Sequence, residues 1–270
     1  MTSAGPSLSL VITTYERPDA LTAVLATALM QAELPQEILV ADDGSGAATR
    51  AVVHGADLNC RVPLRHLWQP HDGFRLTRAR NMAIHEAQGD FIVFVDGDML
   101  LHPQFVADHR RIARVGYFTQ GVRLLLDAEA TRQFIATPGA TPGLASRGLG
   151  GLRRSYALHA PRMADRLRLL ANNIIAIKGC NQGFWRGDLV AANGFNEEIV
   201  GWGPEDKELC ARLQAAGVRR QSLLFGGIAY HLQHPAAARE QRAANEAVYA
   251  ATLRTQLRRC ARGLDSHGSC

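Results

Sequence analysis

The sequence predicts an α/β chain with a mostly parallel central sheet covered by helices on both faces. Three features carry that prediction. Apolar, β-rich runs recur at Ser7 to Tyr15, Glu37 to Ala41 and Phe91 to Val95. Stretches with helical apolar spacing separate them. The second and third runs each end in acids and a turn, Asp42-Asp43-Gly44 and Asp96-Gly97-Asp98. Buried strands alternating with helices indicate a parallel sheet, and ligands of such sheets gather beyond the carboxyl ends of the strands.

The elements follow in order. After "SLSLVITTY", Arg17-Pro18 opens a helix with Leu21, Val24, Leu25, Ala28 and Leu29 on one face. "EILVADDGS" is the second strand, Thr77 to Ala87 a helix closed by "QGD", and "FIVFVDGDM" the third strand. From about Thr137 to Leu170 glycine, proline and arginine dominate, which reads as an insertion. "NNIIAIKGCNQGFWRGDLVAANGF" returns to strand, turn and short helix. In "VGWGPEDKELCARL", Gly203 caps a helix, Pro204 takes its first position, and Leu209, Leu213 and Ala216 form its apolar stripe. "QSLLFGGIAYHLQHP" is a last strand ending in His231 and His234. Ala236 to Arg262 reads as a basic helix, and "GLDSHGSC" is expected to fray. The expected organisation is a first half (1–125), an insertion (126–172), a second half (173–235) and a helical basic tail (236–270), all in one fused domain.

With 270 residues, 47% of them hydrophobic, the chain has ample material for a core. Its net charge of +5 comes almost wholly from arginine, since Lys178 and Lys207 are the only lysines. That balance suits an anionic small molecule, a nucleic acid or an acidic membrane surface. The five cysteines are scattered without a Cys-x-x-Cys pair, as in a cytoplasmic protein with reduced thiols. The first residues lack the pattern of a signal peptide, and no apolar run is long enough to span a bilayer.

Four groups of residues have chemistry to offer. Asp96 and Asp98, one residue apart behind a buried strand, can turn toward one hard cation, with Gly97 letting the backbone bend; an ordinary Asp-Gly surface turn is the alternative. His231 and His234 can complete a manganese site that carboxylates begin, or remain solvated turn residues. An acid of Asp42-Asp43 can cap the next helix or accept from a base or ribose. Arg75, Arg78 and Arg80 open a helix, the setting of a diphosphate site or of a solvated charged face. Glu205 and Asp206 complement a helix dipole, yet the dipole does not explain Gly201-Trp202-Gly203 before them. An exposed tryptophan between glycines suits the apolar face of a sugar.

"VITTYERP", "ADDGS", "GFRLTRARNMAIHEAQGDFIVFVDGDM", "GCNQGFWRGDLVAANGFNEEIVGWGPED" and "YHLQH" together span most of Ser7 to His234. In this order they resemble the family-two glycosyltransferases of the GT-A fold. The second half is also similar to the C-terminal region of animal β-1,4-galactosyltransferases and bacterial chondroitin polymerases. The resemblance implies a nucleotide-sugar-binding half fused to an acceptor-binding half. It places Thr13, Tyr15 and Asp43 at the uridine of a UDP-sugar, and Arg75, Arg78 and Arg80 at the diphosphate, with Arg78 best by spacing. Asp96 would lie near the ribose. Asp98 and His231, with His234 as a second histidine, would bind manganese or magnesium. Trp202 and Glu205 would hold the acceptor, and Asp206 would be the base of an inverting transfer to a glycan or glycolipid, as in polysaccharide or lipopolysaccharide biosynthesis. The family pattern Gly-Gly-Phe-Asp-Glu reads "NGFNE" here, so Asn193 and Asn196 depart from it.

The alternative reading is a catalytically silent nucleotide-sugar or glycan-binding protein of the same fold, although the acid set has no gap. A dinucleotide oxidoreductase is disfavoured because no Gly-x-Gly-x-x-Gly follows the first strand. A nucleic-acid binder is disfavoured because no aromatic-basic module accompanies the modest charge. The arginines of the insertion (Arg147, Arg153, Arg154, Arg162, Arg166, Arg168) and the tail raise a further expectation, peripheral contact with an anionic membrane surface, against which stands a solvated helix pair.

Overall fold

Strand β1 (Leu8–Thr14) is buried at every position. Leu8, Leu10 and Ile12 enter one apolar core and Val11 another, the alternation a strand imposes. The computed structural model describes residues 5–58, 60–150, 152–167, 177–235 and 239–267. Among them ten strands form two sheets. The others are β2 (Glu37–Asp42), β3 (Leu64–Trp68), β4 (Phe91–Asp96), β5 (Met99–Leu101), β6 (Tyr117–Gln120), β7 (Val122–Leu125), β8 (Asn181–Trp185), β9 (Arg219–Ser222) and β10 (Ile228–His231). The large sheet runs β3-β2-β1-β4-β8-β6-β9, and only β8 is antiparallel to its neighbours.

Helices cover both faces. On one, α1 (Pro18–Leu29) packs Leu21, Val24 and Leu25 against Leu10, Ile12 and Val93, beside α2 (Ala47–Asp57). On the other, α3 (Leu76–Glu86) contributes Ala79, Ala83 and Ile84. The later helices are α4 (Phe105–Ile112), α5 (Ala128–Ala136), α6 (Pro161–Leu167), α7 (Arg186–Ala191), α8 (Glu205–Ala215) and α9 (Arg242–Thr255). Phe94 on β4 meets Phe184 on β8 and Phe195 edge-on, with centroids 6.1 and 5.4 Å apart. Each such side chain contributes roughly 1.5–3 kcal/mol by burial, and together they fuse the first and second halves into one core.

Two features of topology make the site. First, the chain steps from β1 outward to β2 and β3, then returns to place β4 on the other side of β1. The carboxyl ends of β1 and β4 therefore border a switch-point crevice, with Thr13 paired to Asp96 by register. Second, Asp96-Gly97-Asp98 carries the chain from β4 into β5, which belongs to a small sheet of order β5-β10-β7. Met99 pairs with His231, and the Leu232 amide donates to the Asp98 carbonyl at 2.9 Å. Gly97 is needed at this junction: a Cβ there would lie 2.8 Å from the Thr13 carbonyl oxygen.

Several sequence expectations change. Helix α8 begins at Glu205, with Pro204 rather than Gly203 as its N-cap residue. "QSLLFGGIAYHLQHP" divides between β9 and β10, which lie in different sheets. The basic tail is helical only over Arg242–Thr255 and ends at Gln256 in a left-handed conformation. Its last residues do not fray at once. Leu264–His267 form a 3-10 helix, and the amides of Leu264 and Asp265 donate to Asn193. The insertion contains α5, a 3-10 helix at Leu152–Ala157 and α6. Its residues 168–176, including Arg168, and the Arg153 side chain lie outside the described residues. Segments 46–76 and 99–136 hold elements that the sequence pattern had not delimited, among them α2, β3 and α4.

Candidate active site

Asp98, His231 and His234 converge where the two sheets meet, each offering a ligand atom within 4.8 Å of the others. Asp98 Oδ2 lies 3.1 Å from His234 Nε2 and 3.7 Å from His231 Nε2. Its other oxygen, Oδ1, is buried and has no hydrogen-bond partner. His234 Nδ1 lies 2.6 Å from the Pro235 carbonyl, an arrangement that orients Nε2 toward Asp98. One carboxylate and two imidazoles are a donor set suited to a divalent transition metal. The orphaned oxygen is what a cation would satisfy, so the residues fit the implied metal. Arg17, absent from the expected site, reaches to 3.8 Å from Asp98 Oδ2, and its buried Nη1 also lacks a partner. Its place directly after the first strand, in "YERP", was the signal.

At the ends of β1 and β2 the two adjacent aspartates divide their tasks. Asp42 does not cap α2, whose N-cap is Gly46. Its carboxylate accepts from the Ser45 amide at 2.8 Å and faces His66 Nε2 at 2.8 Å. Asp43 accepts from Gln69 at 2.6 Å and from the Arg75 amide at 2.7 Å, and burial pushes its carboxyl above the usual range. It thus ties β2 to the start of α3. Tyr15 is exposed and stacked on His71 with centroids 4.8 Å apart, leaving an aromatic edge at the crevice. Thr13 Oγ1 donates to Asp96 at 3.1 Å.

The three arginines separate. Arg78 is exposed and without a side-chain partner among the described residues. Arg75 pairs with Asp72. Arg80 is 1% exposed and turns inward, with Asp96 Oδ1 at 3.1 Å and Glu205 Oε1 at 3.3 Å. The expectation that Arg80 faces a diphosphate therefore gives way to an internal counter-ion joining the end of β4 to the start of α8. Helical spacing is the reason: Ala79, Ala83 and Ile84 hold that face of α3 in the core.

Asp206 sits in the first turn of α8. Oδ2 accepts from the Gly179 amide at 2.6 Å and Oδ1 from the Lys207 amide at 2.7 Å. The helix N-terminus alone would favour the ionised form, but burial outweighs it and raises the Asp206 pKa. The Glu205 carboxyl is pushed up to about 8, first by burial and then by the charge of Asp206, against the pull of Arg80. Burial and proximity thus raise both carboxyls of this adjacent pair above the usual carboxylate range.

The Gly-Trp-Gly bend has a structural account. Gly201 has φ +77°, and a Cβ on Gly203 would lie 2.7 Å from Asn245 Nδ2. Trp202 is not the bare platform expected. It is half-buried, and the guanidinium groups of Arg239 and Arg242 lie 4.6 and 5.7 Å from its centroid. Asn193 stands where the family pattern has glycine because it too adopts a left-handed conformation, φ +64°, which asparagine tolerates better than most residues.

The fold and crevice define the class, a GT-A-type α/β protein. Residues 9–117 match the model of glycosyl transferase family 2, and residues 170–235 match that of the N-terminal domain of galactosyltransferase. It is 28% identical over 253 residues to the hyaluronan synthase of Pasteurella multocida, covering 84% of this chain and 25% of that protein. To the chondroitin synthase of Escherichia coli it is 27% identical over 242 residues, covering 84% and 35%. This chain thus spans between a quarter and about a third of the length of these curated relatives. The structure of GalNAc-T7 with UDP, GalNAc and Mn2+ superposes with a TM-score of 0.62 at 16% identity, over 86% of this chain and 45% of that one.

Proposed function

We propose that this chain moves a hexose or N-acetylhexosamine from a UDP-sugar to a sugar hydroxyl of a bacterial surface glycan or glycolipid, with inversion at the anomeric carbon. The observation that carries this reading is the shared crevice. Arg80 bridges Asp96, two residues from Asp98, to Glu205, the neighbour of Asp206. That bridge supports a reading in which the candidate metal ligands and a carboxylate base border one space. The GT-A likeness to a protein solved with UDP, GalNAc and Mn2+ supports the same donor class.

In this reading Thr13, Tyr15 and Asp43 border the uridine, Asp96 the ribose, and Arg78 and Arg75 the diphosphate. Asp98, His231 and His234 would hold manganese or magnesium, which supplies Lewis-acid stabilisation of the leaving diphosphate. Asp206 takes the proton of the acceptor hydroxyl as its oxygen bonds to the anomeric carbon and the bond to UDP breaks. Its raised pKa makes it a better base than a free aspartate, and its two backbone donors hold the carboxylate in place. Neutral Glu205 donates a hydrogen bond to the acceptor without adding charge beside the base. Four unpaired cysteines among the described residues accord with a cytoplasmic setting. No described helix is long and apolar enough to cross a membrane, and the exposed Arg154, Arg162 and Arg166 are compatible with peripheral contact at an anionic surface.

The test is UDP release from a panel of UDP-sugars with manganese and oligosaccharide acceptors, followed by NMR assignment of the new anomeric centre. A product of inverted configuration is expected. Retained UDP binding with no release from any donor would favour the silent sugar-binding reading instead.

A further inference from the structure

The acceptor side of the crevice carries positive charge that the proposed reaction does not use. Arg239 and Arg242 converge on the ring of Trp202, although like charges repel. Arg242 opens α9, whose first turn has no acid and whose N-cap residue Gln241 makes no side-chain capping bond. Two cations therefore stand at the positive end of a helix dipole, which disfavours them. Arg242 has one carboxylate nearby, Glu246 at 3.9 Å, with both side chains about half exposed. Arg239 is exposed and in no ion pair among the described residues.

The placement is built rather than incidental. Asn245, 2% exposed, donates to the carbonyls of Val200 and Trp202 at 2.8 and 3.0 Å. Thr252 donates to the buried Glu208 on α8 at 2.9 Å. These bonds fix the start of α9 to the bend that leads into Glu205 and Asp206. A guanidinium lying against an aromatic ring still offers its N–H edge to an anion in bidentate fashion.

We infer that Arg239 and Arg242, resting on Trp202, form an anion subsite for the acceptor. It takes a carboxylate or phosphate borne by the accepting sugar or by the residue next to it. The inference rests on the transfer reading, in which Glu205 at the end of this bend faces the acceptor, and deepens it by naming the acceptor class, an acidic glycan. The carboxylate of a uronic acid and the phosphate of a phosphorylated sugar share this chemistry.

Three matched trisaccharides test it, identical except for a terminal hexose, the corresponding hexuronic acid or the hexose 6-phosphate. The wild type is expected to favour a charged acceptor over the neutral one by about tenfold or more in kcat/KM, chiefly through KM. Preference for the uronic acid or for the phosphate identifies the source of the anion. In the Arg239→Gln/Arg242→Gln double variant the charged-to-neutral ratio should fall toward one, and Arg239→Lys/Arg242→Lys should restore part of it. A wild-type ratio of one, or a ratio that survives the glutamine variant, overturns the subsite. If no acceptor is glycosylated from any donor, the transfer reading fails separately. Calorimetric titration of the same trisaccharides then decides the subsite, and binding indifferent to the anion overturns it.

Discussion

Asp98 and His234 meet at 3.1 Å across the junction of the two sheets, because β5 and β10 pair in a register that sets His231 opposite Met99. Asp98→Ala should abolish manganese-dependent UDP binding. His234→Ala should weaken it by at least the roughly 10–100-fold that loss of an outer-shell partner costs. Titration calorimetry with and without manganese reads both. Curves that match the wild type would remove the residue from the site.

Asp206→Asn keeps the shape of the side chain and removes its basicity. Turnover should fall by about 10²–10⁴-fold while UDP affinity stays close to the wild-type value. Steady-state kinetics beside UDP titration separate the two effects, and a variant that turns over normally would show that another group takes the proton.

Glu205 gives the pH dependence. Its folded pKa, about 8, stands above the ordinary 4.5, so between those values the folded state holds a proton that the unfolded chain has lost. Stability contributed this way is present in full below about pH 4.5 and is lost as the pH rises through about 8. Thermal melts of the wild type should therefore decline over that window, and Glu205→Gln should flatten the decline. A 1 kcal/mol difference corresponds to about 2–4 °C in a domain of this size. Parallel slopes in the two proteins would refute a protonated Glu205.

Arg80 is the buried cation between Asp96 and Glu205. Arg80→Met removes the buried partner of Asp96 and Glu205, which should cost about 1–3 kcal/mol in urea unfolding. It should also lower UDP affinity, because Asp96 loses the partner that fixes it beside Thr13. A variant as stable as the wild type would mean that the arginine is dispensable to the crevice.

Much of this was legible in the sequence because it depends on local order. β1, α1, α3 and β4 follow from apolar period and flanking turns, and both acid clusters fall at strand ends as parallel topology requires. Glu205 and Asp206 are placed in the first turn of α8 by Pro204 and the stripe behind them. Short elements such as β3, β9 and β10 have too few residues to show a period, and their partners are distant in the chain.

The sequence by itself determined which residues lie at the carboxyl ends of the strands and at the head of α8. Those positions are fixed by side chains a few residues away. Tertiary structure alone decided that Arg80 meets Glu205, that Arg239 and Arg242 settle on Trp202, and that burial raises the Glu205 carboxyl. Each of these depends on which face is packed, by what and how far from water, and hence on contacts between segments more than thirty residues apart that no local pattern encodes.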